Sequence, residues 1–396
     1  EEAHGLPAES VRLFLHRYAS FETLKDIVTK INRAIFKGGT HMIGASVFLG
    51  QQPEHEQESY LDIISDLGGT TIFTSLHIPE DDSSLYKKAL QTLGSQVQAR
   101  GMELYVDMST HSMTSLGLTW EESRTLVDWG ITGIRMDYGI ESSIIADIST
   151  YMPVALNAST LTPEWLEELF ALGLVKDHAE VWHNYYPRPE TGLDATWFDN
   201  QNRWFKEQGL KTVAFIPGDG QLRGPLYKGL PTLEDHRFLS PLASYLSFVN
   251  DHPVDGILIG DPSLSLSSVN QFKAYQTGEI PLRYESFFDD RLTDSLLNLH
   301  HRNRFDPARD VIRSEGARPF AQSIGEPIRG NNQIARAKGA ITVDNELYGR
   351  YQGDLHIVKS ALIENEAVNV VGQVMEEDLP LLDFIGAGQR FSLKKV

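Results

Sequence analysis

Four aspartates close short apolar runs in this sequence: Asp107 in LYVDMS, Asp137 in GITGIRMDYG, Asp219 in VAFIPGDG and Asp261 in ILIGDP. A carboxylate at the C-terminal end of a buried parallel strand stands where α/β barrels keep their active sites. Two such groups facing one acetal can serve as proton donor and as nucleophile or water-activating base, which is the chemistry of glycosidic cleavage. Asp137 and Asp219 are the leading pair, because strands four and seven of a barrel lie roughly opposite one another, and Asp107 is held in reserve. Each aspartate can instead cap a helix or bind loop amides, and Asp261, set in Gly-Asp-Pro, suits a turn best. Arg135 lies two residues before Asp137, so alternation puts it on the same side of the strand, where it can support that carboxylate.

Two further clusters follow later strands. HNYYPRP offers His183, Asn184, Tyr186 and Arg188: aromatic surface for a sugar ring, an amide, an imidazole and a cation. The plainer reading is a proline-stiffened loop whose tyrosines pack. PGDGQLRGP then leads to GLPTLEDHR, so a glycine-rich loop with Arg223 runs towards Glu234 and Arg237 at the start of a helical stretch. Backbone amides and arginines in that arrangement suit a phosphate or carboxylate. Thr232 with Asp235 reads equally well as a cap. His77 in TSLHIP and Asn157 in LNAS also fall at strand ends and join the substrate-binding candidates. The 13 histidines show neither HxH nor HExxH spacing, so no catalytic metal and no cofactor are expected.

These groups need a scaffold, and the alternation of the chain supplies one. Strands are expected at Ile43–Leu49, Thr70–Leu76, Met102–Met108, Thr132–Asp137, Val154–Asn157, Glu180–Asn184, Lys211–Ile216 and Gly256–Gly260. Helices are expected between them, including Ser83–Arg100, a helix capped by Thr162 with Pro163 at its first position, Thr196–Gln208 and Leu233–Phe248. Repeated short apolar strands and helices imply right-handed βαβ units, and about eight of them fit a closed (β/α)8 TIM barrel over residues 42–280. No strand is followed by GxGxxG or a Walker glycine pattern, which argues against dinucleotide and P-loop sites. Residues 285–396 change character: Ala340–Val343, Leu355–Val358 and Val368–Val371 alternate with glycine turns, as in a small mostly-β domain. The join is expected around Pro281 and Asp289–Asp290. Residues 1–41 carry a helical pattern and a linker-like KGGTH, and read as a fused segment dispensable for chemistry.

Composition narrows the partners. A net charge of -19 disfavours nucleic acid and anionic membranes while leaving room for a small anionic substrate held by local arginines. The chain has no cysteine, so disulfide and thiolate chemistry are excluded. No secretory signal or apolar run of spanning length is visible, and a cytoplasmic location is expected. An oligomer is compatible with the sequence.

At its loops the sequence resembles one bacterial family. SVFLG, IFTSLHIPEDD, RMDYG, LNAST, HNYYPRPETGL, FIPGDG, GPLYKGLPTLEDHR, GAITVDNELYGRYQGDLHI and VNVVGQV carry the resemblance, in order, from Met42 to the C-terminus. The family is that of the 6-phospho-N-acetylmuramidases, glycosidases of cell-wall recycling. The resemblance implies a (β/α)8 barrel followed by a cyclophilin-like β domain. It also implies hydrolysis of the bond between 6-phospho-N-acetylmuramic acid and N-acetylglucosamine. It assigns no catalytic pair, so that choice rests on the strand-end argument. Two rivals remain at this level: a carbohydrate-binding or sensing protein on the same scaffold, and a phospho-sugar enzyme of different chemistry. A Schiff-base aldolase is disfavoured, because no lysine stands on the strands where one is needed.

Overall fold

The computed structural model describes residues 42–50, 53–76, 83–137, 139–288 and 290–396. The expectation of a fused segment at residues 1–41 lies outside them. The chain divides into two compact units, the first ending at Phe272 and the second beginning at Lys273.

The first unit is a closed barrel of eight parallel strands in sequence order. These are β1 (Met42–Ser46), β2 (Thr71–Ser75), β3 (Glu103–Met108), β4 (Gly133–Met136), β5 (Val154–Asn157), β6 (Ala179–Trp182), β7 (Lys211–Ile216) and β8 (Gly256–Ile259). Pairing of β1 with β8, Met42 opposite Gly256, closes the ring. Phe73, Tyr105, Ala155, Trp182, Val213, Phe215 and Leu258, contributed by six of the strands, form one buried cluster. Only the inside of the barrel brings these strands together, so the cluster fixes which alternate residues point inward. Tyr105 stacks on Trp182 with ring centres 4.7 Å apart. Gly133 makes room for that stack, since a Cβ there would meet the Tyr105 ring at 2.4 Å.

Local signals hold at most element ends. Thr162 accepts from the Trp165 amide and Pro163 opens the helix Pro163–Ala171, as the cap pattern requires. The expected helix Leu233–Phe248 is instead split into a 3-10 turn Glu234–His236 and a helix Pro241–Asn250. Ser240 starts that second helix by accepting from the Ala243 amide, and Pro241 cannot continue a preceding one.

The second unit is a mixed seven-stranded sheet in the order β10-β15-β9-β14-β12-β13-β11. Its strands are β9 (Glu279–Ser286), β10 (His301–Arg302), β11 (Val311–Arg313), β12 (Ala340–Asp344), β13 (Leu355–Val358), β14 (Val368–Val374) and β15 (Arg390–Lys395). β9 and β15 run parallel while the other pairs are antiparallel. The two edge strands meet at a single bridge between Asn303 and Ser314, which leaves the sheet nearly closed. Pro281 is therefore no linker: it lies inside β9, opposite Ser392, and the barrel ends before it. No helix among the described residues is long and apolar enough to cross a membrane.

Candidate active site

A cavity of about 310 Å³ opens at the C-terminal ends of the barrel strands. Phe73 and Ser75 come from β2, Asp107 from β3, Arg135 from β4 and Asp137 just beyond it, Asn157 from β5 and Phe215 from β7. The segment after β6 supplies His183, Asn184, Tyr185 and Tyr186. The inward phase set by the aromatic cluster explains this membership: Phe73 and Ser75, Tyr105 and Asp107, and Trp182 and Asn184 each lie two residues apart.

Asp107 and Asp137 share this cavity in different states. Asp107 Oδ1 accepts from Arg135 Nη1 at 2.8 Å, and Ser75 Oγ donates to Oδ2 at 3.4 Å. The Arg135 and Asp107 side chains are 6% and 17% exposed, so the pair is largely out of water. Asp137 is exposed, and its carboxylate makes no hydrogen bond or ion pair among the described residues. Arg135 thus supports Asp107, across the strand pair, and not Asp137 as strand phase suggested. β3 and β4 set Asp107 directly opposite Arg135.

Asn184, Asn157 and Tyr186 reach the cavity as expected. Asn184 accepts from Arg135 Nη2 and donates to Ser159 Oγ at 3.0 Å. Asn157 Oδ1 accepts from the Ser159 amide, and Tyr186 Oη is 3.4 Å from Ser159 Oγ. Ser159 and Ser75, absent from the sequence reading, link the network; the serine of LNAST was visible but its partners beyond the neighbouring strand β6 were not. His183 is a correction. It is fully buried between β6 and the helix Ala195–Glu207, with Nε2 against Asn202 and the ring on Phe198 at 4.4 Å. Burial keeps it neutral, with a pKa pushed down to about 4. One residue beyond β6 and out of phase with Trp182 and Asn184, it turns its ring towards Phe198, so it shapes the wall and offers no charge. His77 lies outside the described residues.

The glycine-rich region tells a different story. Asp219 does not line the cavity: its carboxylate accepts from the Ser265 amide and hydroxyl and from Ser268 Oγ, all within 2.9 Å, at the head of the helix Leu266–Gln276. Asp261, fully buried, accepts from the amides of Gly218, Arg223 and Leu230 at 3.0, 3.1 and 2.9 Å. Burial pushes its carboxyl up while those amides pull it down. The loop expected to cradle an external anion therefore holds the protein's own. Arg237 is likewise spent: its side chain has no exposure, with Nε and Nη2 on Glu234, Nη1 on the Lys228 and Gly229 carbonyls, and Nη2 also on the Arg188 carbonyl. Glu234 accepts in addition from the Glu190 and Gly192 amides, tying two loops together. Neither residue is free for a ligand.

Arg223 remains available. Its Nη1 donates to Tyr185 Oη at 2.6 Å, and its guanidinium lies 4.4 Å from the centre of the Phe48 ring. Nη2 and Nε make no further bond among the described residues. Burial pushes the Tyr185 hydroxyl up, so it stays a neutral hydrogen-bonding group. Arg188 is exposed on the loop beyond Tyr186. The second unit holds a larger cavity of about 410 Å³, whose lining includes the exposed Glu326 and Arg329 but none of the strand-end acids. There Asn369 is satisfied by Asn331, Asn345 and the Arg329 carbonyl, and Asp290 caps the Thr293 amide. The barrel cavity is the candidate site.

Two family models match the chain: "6-phospho-N-acetylmuramidase, N-terminal" over residues 43–274 and "6-phospho-N-acetylmuramidase, C-terminal" over residues 279–394. Among solved structures, the chain is similar to a conserved protein of unknown function from Enterococcus faecalis. The two share 40% identity and a TM-score of 0.79, over 89% of this chain and 96% of that one. An uncharacterized B. cereus protein has the same fold at 22% identity and a TM-score of 0.64, over 89% of this chain and 99% of that one. No curated protein matches.

Proposed function

The chain belongs to the 6-phospho-N-acetylmuramidase family, glycosidases acting on phospho-muramic acid in cell-wall recycling, and we propose on that premise that Asp107 and Asp137 are its catalytic pair. The observation that carries this reading is that these two carboxylates, one anchored and one open, face a single cavity. Asp137, exposed and unbonded, protonates the oxygen of the bond leading to N-acetylglucosamine. Asp107, held by Arg135, faces the anomeric carbon and serves as nucleophile or as base for the attacking water. NMR of the first product anomer distinguishes these two routes. The cavity sits at the low end of the roughly 300–1,000 Å³ typical of small-molecule sites, which suits one sugar unit inside and its neighbour across the rim. Tyr185, Tyr186 and Phe215 supply ring faces, and Asn157 and Asn184 amides for its polar edge.

The 6-phosphate falls to Arg223, with Arg188 on the adjoining loop as a second cation. Phe48 and Tyr185 hold the Arg223 fork in place, so little side-chain freedom is lost on binding. No lysine lines the cavity among the described residues, and a Schiff-base reaction has no support there. For the second unit we infer a cyclophilin-like fold, supported by its mixed sheet folded nearly shut; matching strand order and connectivity in a superposition is the check. A cytoplasmic location goes with a phosphorylated substrate, and cell fractionation tests it. The decisive experiment incubates the protein with the 6-phosphorylated disaccharide and its dephosphorylated counterpart and weighs the products. Cleavage of the phosphorylated form alone is expected; equal rates on both would remove the phosphate from the reading.

A further inference from the structure

We propose that Arg135 is a positioning residue that fixes the Asp107 carboxylate for the reaction; the proposal rests on Asp107 and Asp137 being the catalytic pair. Arg135 is 5% exposed, an unusual place for a cation beside a barrel interior of aromatic and aliphatic side chains. It faces Asp107 directly across the β3–β4 ladder, so the strand register, and not a flexible loop, sets their separation. Its guanidinium divides its bonds: Nη1 to Asp107 Oδ1 and Nη2 to Asn184 Oδ1. Asn184 in turn donates to Ser159 Oγ, and Ser75 Oγ approaches the other oxygen of Asp107. One planar group thereby joins side chains carried by β2, β3, β4, the β5 loop and the β6 loop.

Arginine is suited to this task where lysine is not. Its fork is flat, always charged and reaches two acceptors at a fixed angle, whereas an ammonium acts as a single point charge on a flexible stem. The Nε atom is buried with no partner, so the group is retained at the cost of one unsatisfied donor. That cost is intelligible if the two terminal nitrogens do something a filled apolar core cannot. Without them Asp107 keeps only the long Ser75 contact and Asn184 only its bond to Ser159, which leaves both side chains looser in the cavity. Arg135 also lines the cavity, so the split between kcat and KM is what separates action through Asp107 from direct contact with substrate. Asp137 is left free for proton transfer while Asp107 is held still, which divides the labour between two chemically identical groups.

The test is a cycle of full-length variants, Arg135→Gln, Arg135→Lys, Asp107→Asn and Arg135→Gln with Asp107→Asn, assayed on the 6-phosphorylated disaccharide with melting curves alongside. Misplacement of a catalytic group costs on the order of 100-fold in rate, so Arg135→Gln should lower kcat by about that factor with KM within about threefold. Arg135→Lys should fall between it and wild type. The double variant should be no slower than Asp107→Asn alone, because Arg135 acts through that carboxylate. Multiplicative losses in the double variant, or wild-type kcat in Arg135→Gln, would overturn the proposal. If Arg135→Gln fails to fold, the same cycle run with Arg135→Lys decides. Full activity in Asp107→Asn would instead overturn the catalytic pair itself, a result distinguishable because it does not involve Arg135.

Discussion

Two stretches of the barrel chain carry the same vocabulary of acids, arginines and glycines, yet they do opposite things with it. Around β3 to β6, Asp137 and the open side of the Asp107–Arg135 pair face a cavity. In residues 217–237 and the loop after β8, three acids are consumed internally: Asp261 by three amides, Asp219 by two serines, Glu234 by Arg237. The first region keeps charge uncommitted, which chemistry needs. The second spends charge on shaping loops and leaves the Arg223 guanidinium hydrogen-bonded only through Nη1, to Tyr185, among the described residues. The lesson is that a carboxylate's partners, more than its position after a strand, decide whether it is available to react.

Substitutions can break this contrast. Asp137→Asn should melt close to wild type yet turn over at least ~100-fold more slowly, as expected on losing general acid-base help. Retained kcat with a lowered melting temperature would move Asp137 into the structural region. Next in size is Arg223→Ala, which removes a charge-assisted contact worth roughly 1.5–3 kcal/mol. KM for the phosphorylated disaccharide should rise by about 10- to 100-fold with the fold intact, and an unchanged KM would point to Arg188 as the sole phosphate ligand.

The internally spent acids should show up in stability. Asp261→Asn weakens the acceptor for three amides, two of them buried, and should cost ~1–3 kcal/mol in urea denaturation, with kcat of the folded fraction largely kept. Asp219→Asn should cost about 1 kcal/mol, the scale of a lost cap, and leave kcat within about threefold. A 100-fold fall in kcat there would return Asp219 to the catalytic pair.

The smallest effect concerns pH. Arg237 holds the Glu234 carboxyl down to about 2, from an ordinary 4.5, against some desolvation and with help from the Glu190 and Gly192 amides. The resulting stabilisation is fully present above the unfolded value and is lost as pH falls through the folded one. Urea midpoints measured between about pH 5 and pH 2 should decline less steeply in Glu234→Gln than in wild type. Parallel declines would mean the Glu234–Arg237 tie contributes nothing in solution.

Much of this was legible in the sequence for a local reason. Strands β3, β4, β5 and β7 are short apolar runs, and Thr162 with Pro163 marks a helix start within three residues, so neighbours along the chain suffice to read them. The ring order of eight strands follows from repeated βαβ units, whose handedness is fixed by backbone chirality. What only the tertiary structure decided are pairings between distant residues. Asp261 meets the Gly218 amide 43 residues away, and Arg135 meets Asp107 28 residues away and Asn184 49 residues away. Alternation along one strand puts Arg135 and Asp137 on the same side, but the register of β3 against β4 sets which acid the guanidinium meets. His183 and Asn184 differ by one position and so by one face: the ring of the first packs on Phe198, while the amide of the second meets Arg135 and Ser159. Hydrogen bonds are short and directional, so a shift of one residue in phase or register reassigns them, and no local pattern encodes that choice.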